Sequence, residues 1–214
     1  MKVLVVGANG QIGKQLVGLL NESKEYEVRA MLRKPEQTKE FEQKGVETAI
    51  ASLEGTVEDI ASALKGCDAV VFAAGSGGHT GLDKTLLVDL DGAVKTVEAA
   101  EQAGIERFIM VSALQAHKRE NWSEAIKPYY VAKHYADRAL LQSSLNYTII
   151  RPGGLLNEAG TGKIKVAENL ERGTIPRTDV ARTILSCLNE ENTFRKSFDL
   201  ISGDTDVAEA LKTL

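Results

Sequence analysis

Apolar and polar positions follow two periods that succeed one another along the chain. Short β-branched runs predict strands at 2–6, 28–32, 46–50, 69–73, 107–111, 147–150 and 197–200. Apolar residues recur at helical spacing near 11–22, 36–44, 56–65, 83–103, 128–144, 178–189 and 205–213. Most of the strands are apolar on both faces, as strands covered by helices must be. The alternation predicts an α/β fold with a doubly wound parallel sheet.

The length and composition are those of one globular domain. The chain has 214 residues, of which 43% are hydrophobic and 26% are charged. No low-complexity linker or internal repeat divides the sequence, so we expect a single domain over residues 1–214. Too little chain follows the sixth predicted strand for a second domain. The segment near 155–175 is predicted to form a small flap on the substrate side.

The charge and the cysteines exclude several kinds of partner. A net charge of −4 gives no basic face, so nucleic acid is not expected. No apolar run is long enough to span a bilayer, and the first strand begins without a cleavage signal. We therefore expect a cytoplasmic protein. Cys67 and Cys187 match no metal spacing, so we expect reduced thiols and no metal. The sequence does not decide whether the protein is a monomer or a homodimer.

A glycine-rich loop joins the first strand to the first helix, with the sequence GANGQIG at 7–13. Gly7 permits a tight turn, Gly10 lets the backbone approach a pyrophosphate, and Gly13 allows the helix to pack closely on the sheet. The helix N-terminus adds unpaired N–H groups and a partial positive charge. A plain tight turn is the alternative. The loop in this context predicts a Rossmann-type dinucleotide site, with contacts from Gly7, Asn9, Gly10, Gln11, Ile12 and Gly13.

The end of the second strand indicates which dinucleotide is bound. An NAD site usually carries Asp or Glu about twenty residues past the glycines, where it accepts from the ribose hydroxyls. Here Arg33 and Lys34 follow the strand. A guanidinium can pair with a 2′-phosphate, which a carboxylate would repel. The sequence favours NADP(H), with Arg33 as the main contact; a solvated basic pair is the alternative.

Tyr129 and Lys133 open the helix after the fifth strand. Residues four apart share one helix face, so both side chains can reach the same cavity. A neighbouring ammonium lowers the pKa of a phenol and makes proton transfer at neutral pH feasible. The pair is therefore a candidate acid/base. A packed tyrosine beside a solvated lysine is the alternative.

The chain resembles the atypical short-chain dehydrogenase/reductases, the NAD(P)-dependent epimerase/dehydratase-like or NmrA-like group. The resemblance rests on VLVVGANGQIG, VRAMLRKP, DAVVFAAG, ERFIMVSA, YYVAK, NYTIIRPGG and IPRTDVAR. It implies that Tyr129 and Lys133 are the acid/base pair and that Ser112 hydrogen-bonds a substrate carbonyl. It further implies cofactor contacts from Ala73, Ala74, Gly75, Pro152 and Gly153.

Two positions depart from the pattern of that family. Its catalytic serine aligns with either Ser112 or Ala113, and its helix asparagine is replaced here by Asp89. A carboxylate can accept a hydrogen bond but cannot donate one. Asp179 is predicted to be a helix N-cap, and His79, in a glycine-rich loop, is assigned no catalytic role.

These features predict an NADPH-dependent oxidoreductase that acts on a small carbonyl-type substrate through Tyr129 and Lys133. Two other functions use the same residues or fold. One is a non-catalytic NADP(H)-sensing protein, and the other is an epimerase or dehydratase that works by transient hydride transfer.

Overall fold

The computed structural model describes residues 1–78 and 80–214, so His79 lies outside the described residues. The strands are β1 (Lys2–Val6), β2 (Glu27–Leu32), β3 (Glu47–Ile50), β4 (Ala69–Phe72), β5 (Arg107–Val111), β6 (Asn146–Pro152), β7 (Gly154–Leu156), β8 (Lys163–Ala167), β9 (Thr174–Pro176), β10 (Lys196–Ser202) and β11 (Thr205–Asp206). The α-helices are α1 (Gln11–Glu22), α2 (Thr38–Glu42), α3 (Val57–Leu64), α4 (Leu82–Lys84), α5 (Gly92–Gln102), α6 (Lys127–Gln142), α7 (Arg177–Cys187) and α8 (Val207–Leu211).

Nine strands form the main sheet in the order β11-β8-β10-β6-β5-β4-β1-β2-β3. The seven strands from β10 to β3 run parallel, and the chain reverses its direction of travel across the sheet between β3 and β4. The predicted α/β fold class, a Rossmann-type doubly wound sheet, is confirmed. The carboxyl ends of β1 and β4 lie next to each other at this reversal, which is where such sheets bind ligands.

The central strand β1 is apolar along most of its length because each of its two faces packs against a different layer of helices. Val3 and Val5 belong to the core formed with α1, α7 and α8, whereas Leu4 and Val6 belong to the core formed with α3, α5 and α6. All four side chains are fully buried. Each contributes about 1.5–3 kcal/mol of burial free energy, so both helical layers are fixed to the same strand. The phosphate loop that leaves this strand therefore starts from a rigid point.

The segment predicted to be a flap is partly built into the sheet. Strand β8 pairs antiparallel with β10, and β11 pairs antiparallel with β8. Ile164 on β8 is fully buried, while its neighbours Lys163 and Lys165 are exposed. The sequence prediction missed β8 and β11 and was wrong to treat 155–175 as a flap throughout. Strands β7 and β9 form a separate two-stranded sheet.

Two helices differ from their predictions in ways that affect the site. The predicted helix at 83–103 is a run in which a π-helical segment, Thr85–Asp91, joins α4 to α5. Helix α7 begins at Arg177 with Pro176 as its N-cap, so the N-cap prediction for Asp179 is wrong. The Asp179 carboxylate instead accepts hydrogen bonds from the backbone N–H groups of Thr161 and Gly162, at 2.8 and 2.9 Å. Asp179 thus fixes the turn before β8.

Across the described ranges, no helix combines the length and apolar character needed to cross a bilayer.

Candidate functional site

The phosphate loop needs glycine at two positions for different reasons. Gly7 has a φ of +85°, and a Cβ there would lie 2.6 Å from the backbone nitrogen of Ala74. A Cβ on Gly13 would overlap the carbonyl oxygen of Gly7. Gly13 therefore packs α1 against the loop itself, and the predicted contact with the sheet is wrong in that detail. The loop is pressed between α1 and the end of β4.

A groove runs over the N-terminus of α1. Gly10 is the N-cap and supplies no side-chain hydrogen bond, so the first N–H groups of the helix are left for a ligand. This phosphate groove has a volume of about 270 Å³. Its lining residues are Gly7, Gly10, Gln11, Ile12, Ala73, Ala74, Gly75, Leu155 and Arg177. Uncapped helix N–H groups opposite a guanidinium suit a pyrophosphate.

The side chain of Arg177 faces this groove although the sequence prediction did not include it. Its Nη1 donates to the carbonyl oxygen of Leu155 at 3.1 Å and to Oδ1 of Asn157 at 2.8 Å. These bonds hold the guanidinium at the start of α7, across the groove from Gly10. The only feature of the local sequence that could have identified Arg177 is its position directly after a short strand.

A second cavity of about 500 Å³, the loop cavity, lies between the ends of β1, β2 and β3. Its lining residues are Val6, Gly7, Asn9, Gly10, Met31, Leu32, Arg33, Gln37, Ala51, Ser52, Leu53, Glu54, Ala74, Gly75, Ser76, Thr80, Lys84 and Val88. Arg33 is exposed at its rim, whereas Lys34 does not line it. Oε1 of Gln37 accepts from both backbone N–H groups at 3.1 Å, which fixes this turn.

The charges around the loop cavity favour an anion at Arg33. Within the described ranges, no carboxylate lies within 4.0 Å of the Arg33 guanidinium. Among the described lining residues only Glu54 carries a carboxylate, and it is paired with Lys84 at 2.6 Å. In a chain with a net charge of −4, the phosphate groove and the loop cavity thus carry locally positive charge.

A third cavity, the reaction cavity, has a volume of about 660 Å³ and adjoins the phosphate groove. Its lining residues are Ile12, Ala73, Ala74, Gly75, Ser76, Gly77, Gly78, Thr80, Leu82, Thr85, Asp89, Val111, Ser112, Ala125, Ile126, Pro128, Tyr129, Lys133, Pro152, Leu155 and Arg177. The structure therefore brings together the predicted Tyr129, Lys133 and Ser112. Because six residues line both this cavity and the groove, one long ligand can occupy both.

Ser112 and Ala113, the two candidates for the serine position of the family, lie in different surroundings. Ser112 follows β5, is 3% exposed, and its Oγ has no hydrogen-bond partner within the described chain. Its side chain lines the reaction cavity, whereas Ala113 does not and packs with Ala116 and Tyr130. A buried hydroxyl without a partner is costly unless a ligand completes its hydrogen bonds. The Ser112 hydroxyl is therefore available to a ligand in the reaction cavity.

Lys133 is held below Tyr129 and not beside its hydroxyl. The ammonium is 4% exposed, donates to the carbonyl oxygen of Val111 at 3.1 Å and lies 5.8 Å from the centroid of the Tyr129 ring. This geometry makes the lysine an electrostatic neighbour of the ring. No direct hydrogen bond joins the lysine to the phenol among the described contacts.

Asp89 is the partner of that lysine. Its Oδ1 lies 3.6 Å from Nζ of Lys133, and its Oδ2 accepts from the backbone N–H of Ser76 at 3.0 Å. The aspartate is 1% exposed and belongs to the π-helical segment, a distortion that often marks functional sites. The carboxylate therefore joins three elements: the π-helical segment, α6 and the loop after β4. The sequence analysis identified Asp89 as a departure from the family pattern but did not predict that it pairs with Lys133.

The electrostatics contradict the expected activation of Tyr129. Burial raises the pKa of Tyr129. The Lys133 ammonium lowers it, but this effect is smaller, and the charges of Asp89, Tyr130 and Asp137 raise it again. The expectation of a lowered phenol pKa is therefore wrong for this arrangement. Tyr129 is a neutral phenol at pH 7 and is suited to donate a proton.

The other predicted residues occupy defined places. Gly13 and Lys34 line none of the three cavities, whereas Pro152 lines the reaction cavity. Gly153 lines a further cavity that opens beyond Ser112. Ser52 and Leu53, which the sequence prediction did not include, form a wall of the loop cavity. No local pattern identified them, because they follow β3 and face the cavity only once β3 pairs with β2.

Comparison with known proteins gives consistent matches. A family model described as NAD(P)H-binding matches residues 7–191. An uncharacterized sugar epimerase of Bacillus subtilis (strain 168) is 63% identical over 214 residues, 100% of both chains. A solved structure from Bacillus halodurans, described as an NAD-dependent epimerase/dehydratase, is 44% identical with a TM-score of 0.94 over 100% of both chains. An anaerobilin reductase from Escherichia coli O157:H7 is 26% identical with a TM-score of 0.83, over 96% of this chain and 99% of that one.

The Asp89–Lys133 pair generates a prediction about Tyr129. In Asp89→Asn the negative charge is removed while an amide oxygen remains to accept from Ser76. Because the Asp89 charge raises the pKa of Tyr129, the variant should lower it. Ultraviolet titration of tyrosinate measures this, with each protein compared to its own Tyr129→Phe version to isolate one phenol. An unchanged or higher pKa would contradict the electrostatic role of Asp89.

Proposed function

Because the chain belongs to the NAD(P)H-binding family, whose relatives are of oxidoreductase and epimerase type, we propose that it is an NADPH-dependent reductase. The observation that carries the proposal is the convergence of Ser112, Tyr129 and Lys133 on a cavity continuous with the phosphate groove. An unpartnered hydroxyl and a neutral phenol then face the same space. That is the arrangement needed to bind and protonate a carbonyl-type group.

The loop cavity, the phosphate groove and the reaction cavity fit a dinucleotide in that order. Gly10 leaves the pyrophosphate room to approach the backbone, and Arg177 faces the same groove. Arg33 at the rim of the loop cavity suits a 2′-phosphate, and this supports NADP(H) over NAD(H). When bound, NADPH supplies a hydride to a substrate carbon.

Tyr129 is the proton donor in this proposal. Its raised pKa keeps the phenol protonated at neutral pH, so the proton is available as negative charge develops on the substrate oxygen or nitrogen. Ser112 donates its unpartnered O–H to the same atom and orients the substrate. Lys133 stabilises the phenolate that remains, since its ammonium lies below the ring.

Epimerisation or dehydration by transient hydride transfer is a second candidate, favoured by the name of the Bacillus subtilis relative. Such a reaction first removes a proton from an alcohol, for which a phenol of raised pKa is poorly suited. The fate of the cofactor distinguishes the two reactions. A reductase releases oxidised cofactor in proportion to product, and an epimerase does not. A non-catalytic NADP(H) sensor is disfavoured by the buried, unpartnered Ser112 beside Tyr129.

The cofactor preference can be tested at Arg33. In Arg33→Ala the dissociation constant for NADPH should rise about five- to tenfold, because one exposed charge-assisted contact to the 2′-phosphate is lost. NADH affinity should stay the same. Lys34→Ala is the matched control, since Lys34 is adjacent and lines none of the cavities. Fluorescence titration of the wild type and both variants with each nucleotide measures all six affinities, and equal losses for NADPH and NADH in Arg33→Ala would contradict the assignment.

The catalytic role can be tested at Tyr129 with a screened carbonyl substrate. Tyr129→Phe keeps the ring and its edge contact with Tyr130 but removes the proton donor. We expect kcat/KM to fall about 10²- to 10⁴-fold while NADPH binding is retained. Tyr135→Phe is the control on the same helix, because that hydroxyl bonds Arg119 outside the cavities. Full turnover by Tyr129→Phe would exclude the mechanism.

A further inference from the structure

A fourth cavity opens from the reaction cavity on the side away from the phosphate groove. This arginine chamber has a volume of about 380 Å³. Its lining residues are Ser112, Ala113, Leu114, Gln115, Ile126, Tyr129, Tyr130, Pro152, Gly153, Gly154, Leu155, Arg172 and Gly173. It shares five residues with the reaction cavity but only Leu155 with the phosphate groove. The five are Ser112, Ile126, Tyr129, Pro152 and Leu155. A dinucleotide in the first three cavities would leave the chamber open to a substrate.

The walls of the chamber suit a flat apolar group. Part of the lining is bare backbone: a Cβ on Gly153 would overlap the carbonyl oxygen of Gly173, so the chain segments that carry these two glycines lie in close contact. The rings of Tyr129 and Tyr130, with centroids 6.1 Å apart, belong to the same lining. A lining that combines aromatic rings with bare backbone favours a planar conjugated body over a bulky hydrated one such as a sugar.

The adjoining reaction cavity also carries exposed apolar side chains. Leu82 and Ile126 line the reaction cavity while remaining 62% and 47% exposed, and Leu155, which lines both cavities, is 36% exposed. Large apolar side chains left in solvent around a concave site are typical of ligand-binding surfaces. A ligand in the reaction cavity would contact all three side chains.

One charge faces the chamber. Among its described lining residues, Arg172 alone carries a formal charge. Nη2 of Arg172 donates to the carbonyl oxygen of Asn121 at 2.9 Å, and none of the described carboxylates lies within 4.0 Å of it. The guanidinium keeps further N–H donors in a fork that matches a carboxylate. At the junction with the reaction cavity, the buried and unpartnered Oγ of Ser112 is an independent sign of a missing ligand atom.

We propose that the arginine chamber is a substrate subsite that takes a planar apolar body ending in a carboxylate, with the carboxylate bound by Arg172. The reducible group of the same molecule then lies at Ser112 and Tyr129. This inference rests on the proposed reductase function and adds its substrate class: planar, conjugated and anionic. Substrate specificity therefore comes from the loop after β5 and the turn before β9, which supply Ser112 and Arg172.

The test uses two unreactive probes of the same size, 2-naphthoate and naphthalene-2-methanol. Trp122 is the single tryptophan and stacks on Tyr130 with centroids 6.0 Å apart, so its fluorescence reports occupation of the chamber. With saturating NADP⁺, the wild type should bind 2-naphthoate about fivefold more tightly than the alcohol, the size of one exposed ion pair. Calorimetry provides a second measurement of both affinities.

Variants at Arg172 assign the preference to its charge. Arg172→Ala should remove the fivefold difference without weakening the alcohol, and Arg172→Glu should reverse it. Arg138→Ala is the matched control, an exposed arginine on α6 that does not line the chamber. Equal binding of the two probes by the wild type, binding of neither, or an intact preference in Arg172→Ala would each overturn the proposal.

The two proposals can fail separately. Probe binding involves no turnover, so it is unaffected if Tyr129→Phe shows that the reductase mechanism is wrong. Conversely, loss of NADPH consumption in Tyr129→Phe together with a wild type indifferent to the probe charge would keep the reductase and exclude the anionic subsite.

Discussion

The ion pair between Asp89 and Lys133 is the interaction on which the candidate site depends. Both side chains are buried, and taking two charges out of water is costly unless their remaining hydrogen bonds are satisfied. The backbone of Ser76 and of Val111 supplies those bonds, so the pair is compatible with a stable fold. Because its anchors lie on the loop after β4, the π-helical segment, α6 and β5, the pair fixes the walls of the reaction cavity relative to one another.

Burial has the largest effect on the pKa of Tyr129 and raises it, and the ion pair adjusts that pKa further. A lone buried ammonium would favour the phenolate, whereas an ammonium neutralised by Asp89 favours it less, and burial of the phenol raises its pKa further. The result is a proton donor next to the unpartnered hydroxyl of Ser112. An arrangement of this kind is suited to reduction, in which negative charge develops on the substrate and must be protonated. A neutral asparagine at position 89 could not neutralise Lys133 in this way.

Features specified by local sequence were predictable, and features specified by long-range contacts were not. The phosphate loop, the alternation of strands and helices and the shared face of Tyr129 and Lys133 follow from the residue pattern within single elements. The pairing of Asp89 with Lys133 could not be predicted, because it depends on the π-helical segment packing against α6. Strand β8 was missed although its alternating burial, with Ile164 buried between two lysines, is a recognisable signal of an antiparallel edge region. Arg172 lies in a turn whose position depends on β8 and β9.

The most direct test of the central claim is a crystal structure of the protein with NADP⁺. The account predicts the 2′-phosphate at Arg33, the pyrophosphate over the N-terminus of α1, and the nicotinamide ring in the reaction cavity beside Tyr129 and Ser112. The arginine chamber should remain open to solvent. A nicotinamide ring outside the reaction cavity, or a 2′-phosphate away from Arg33, would contradict the account, because the proton donor and the hydride donor would then not meet at one substrate.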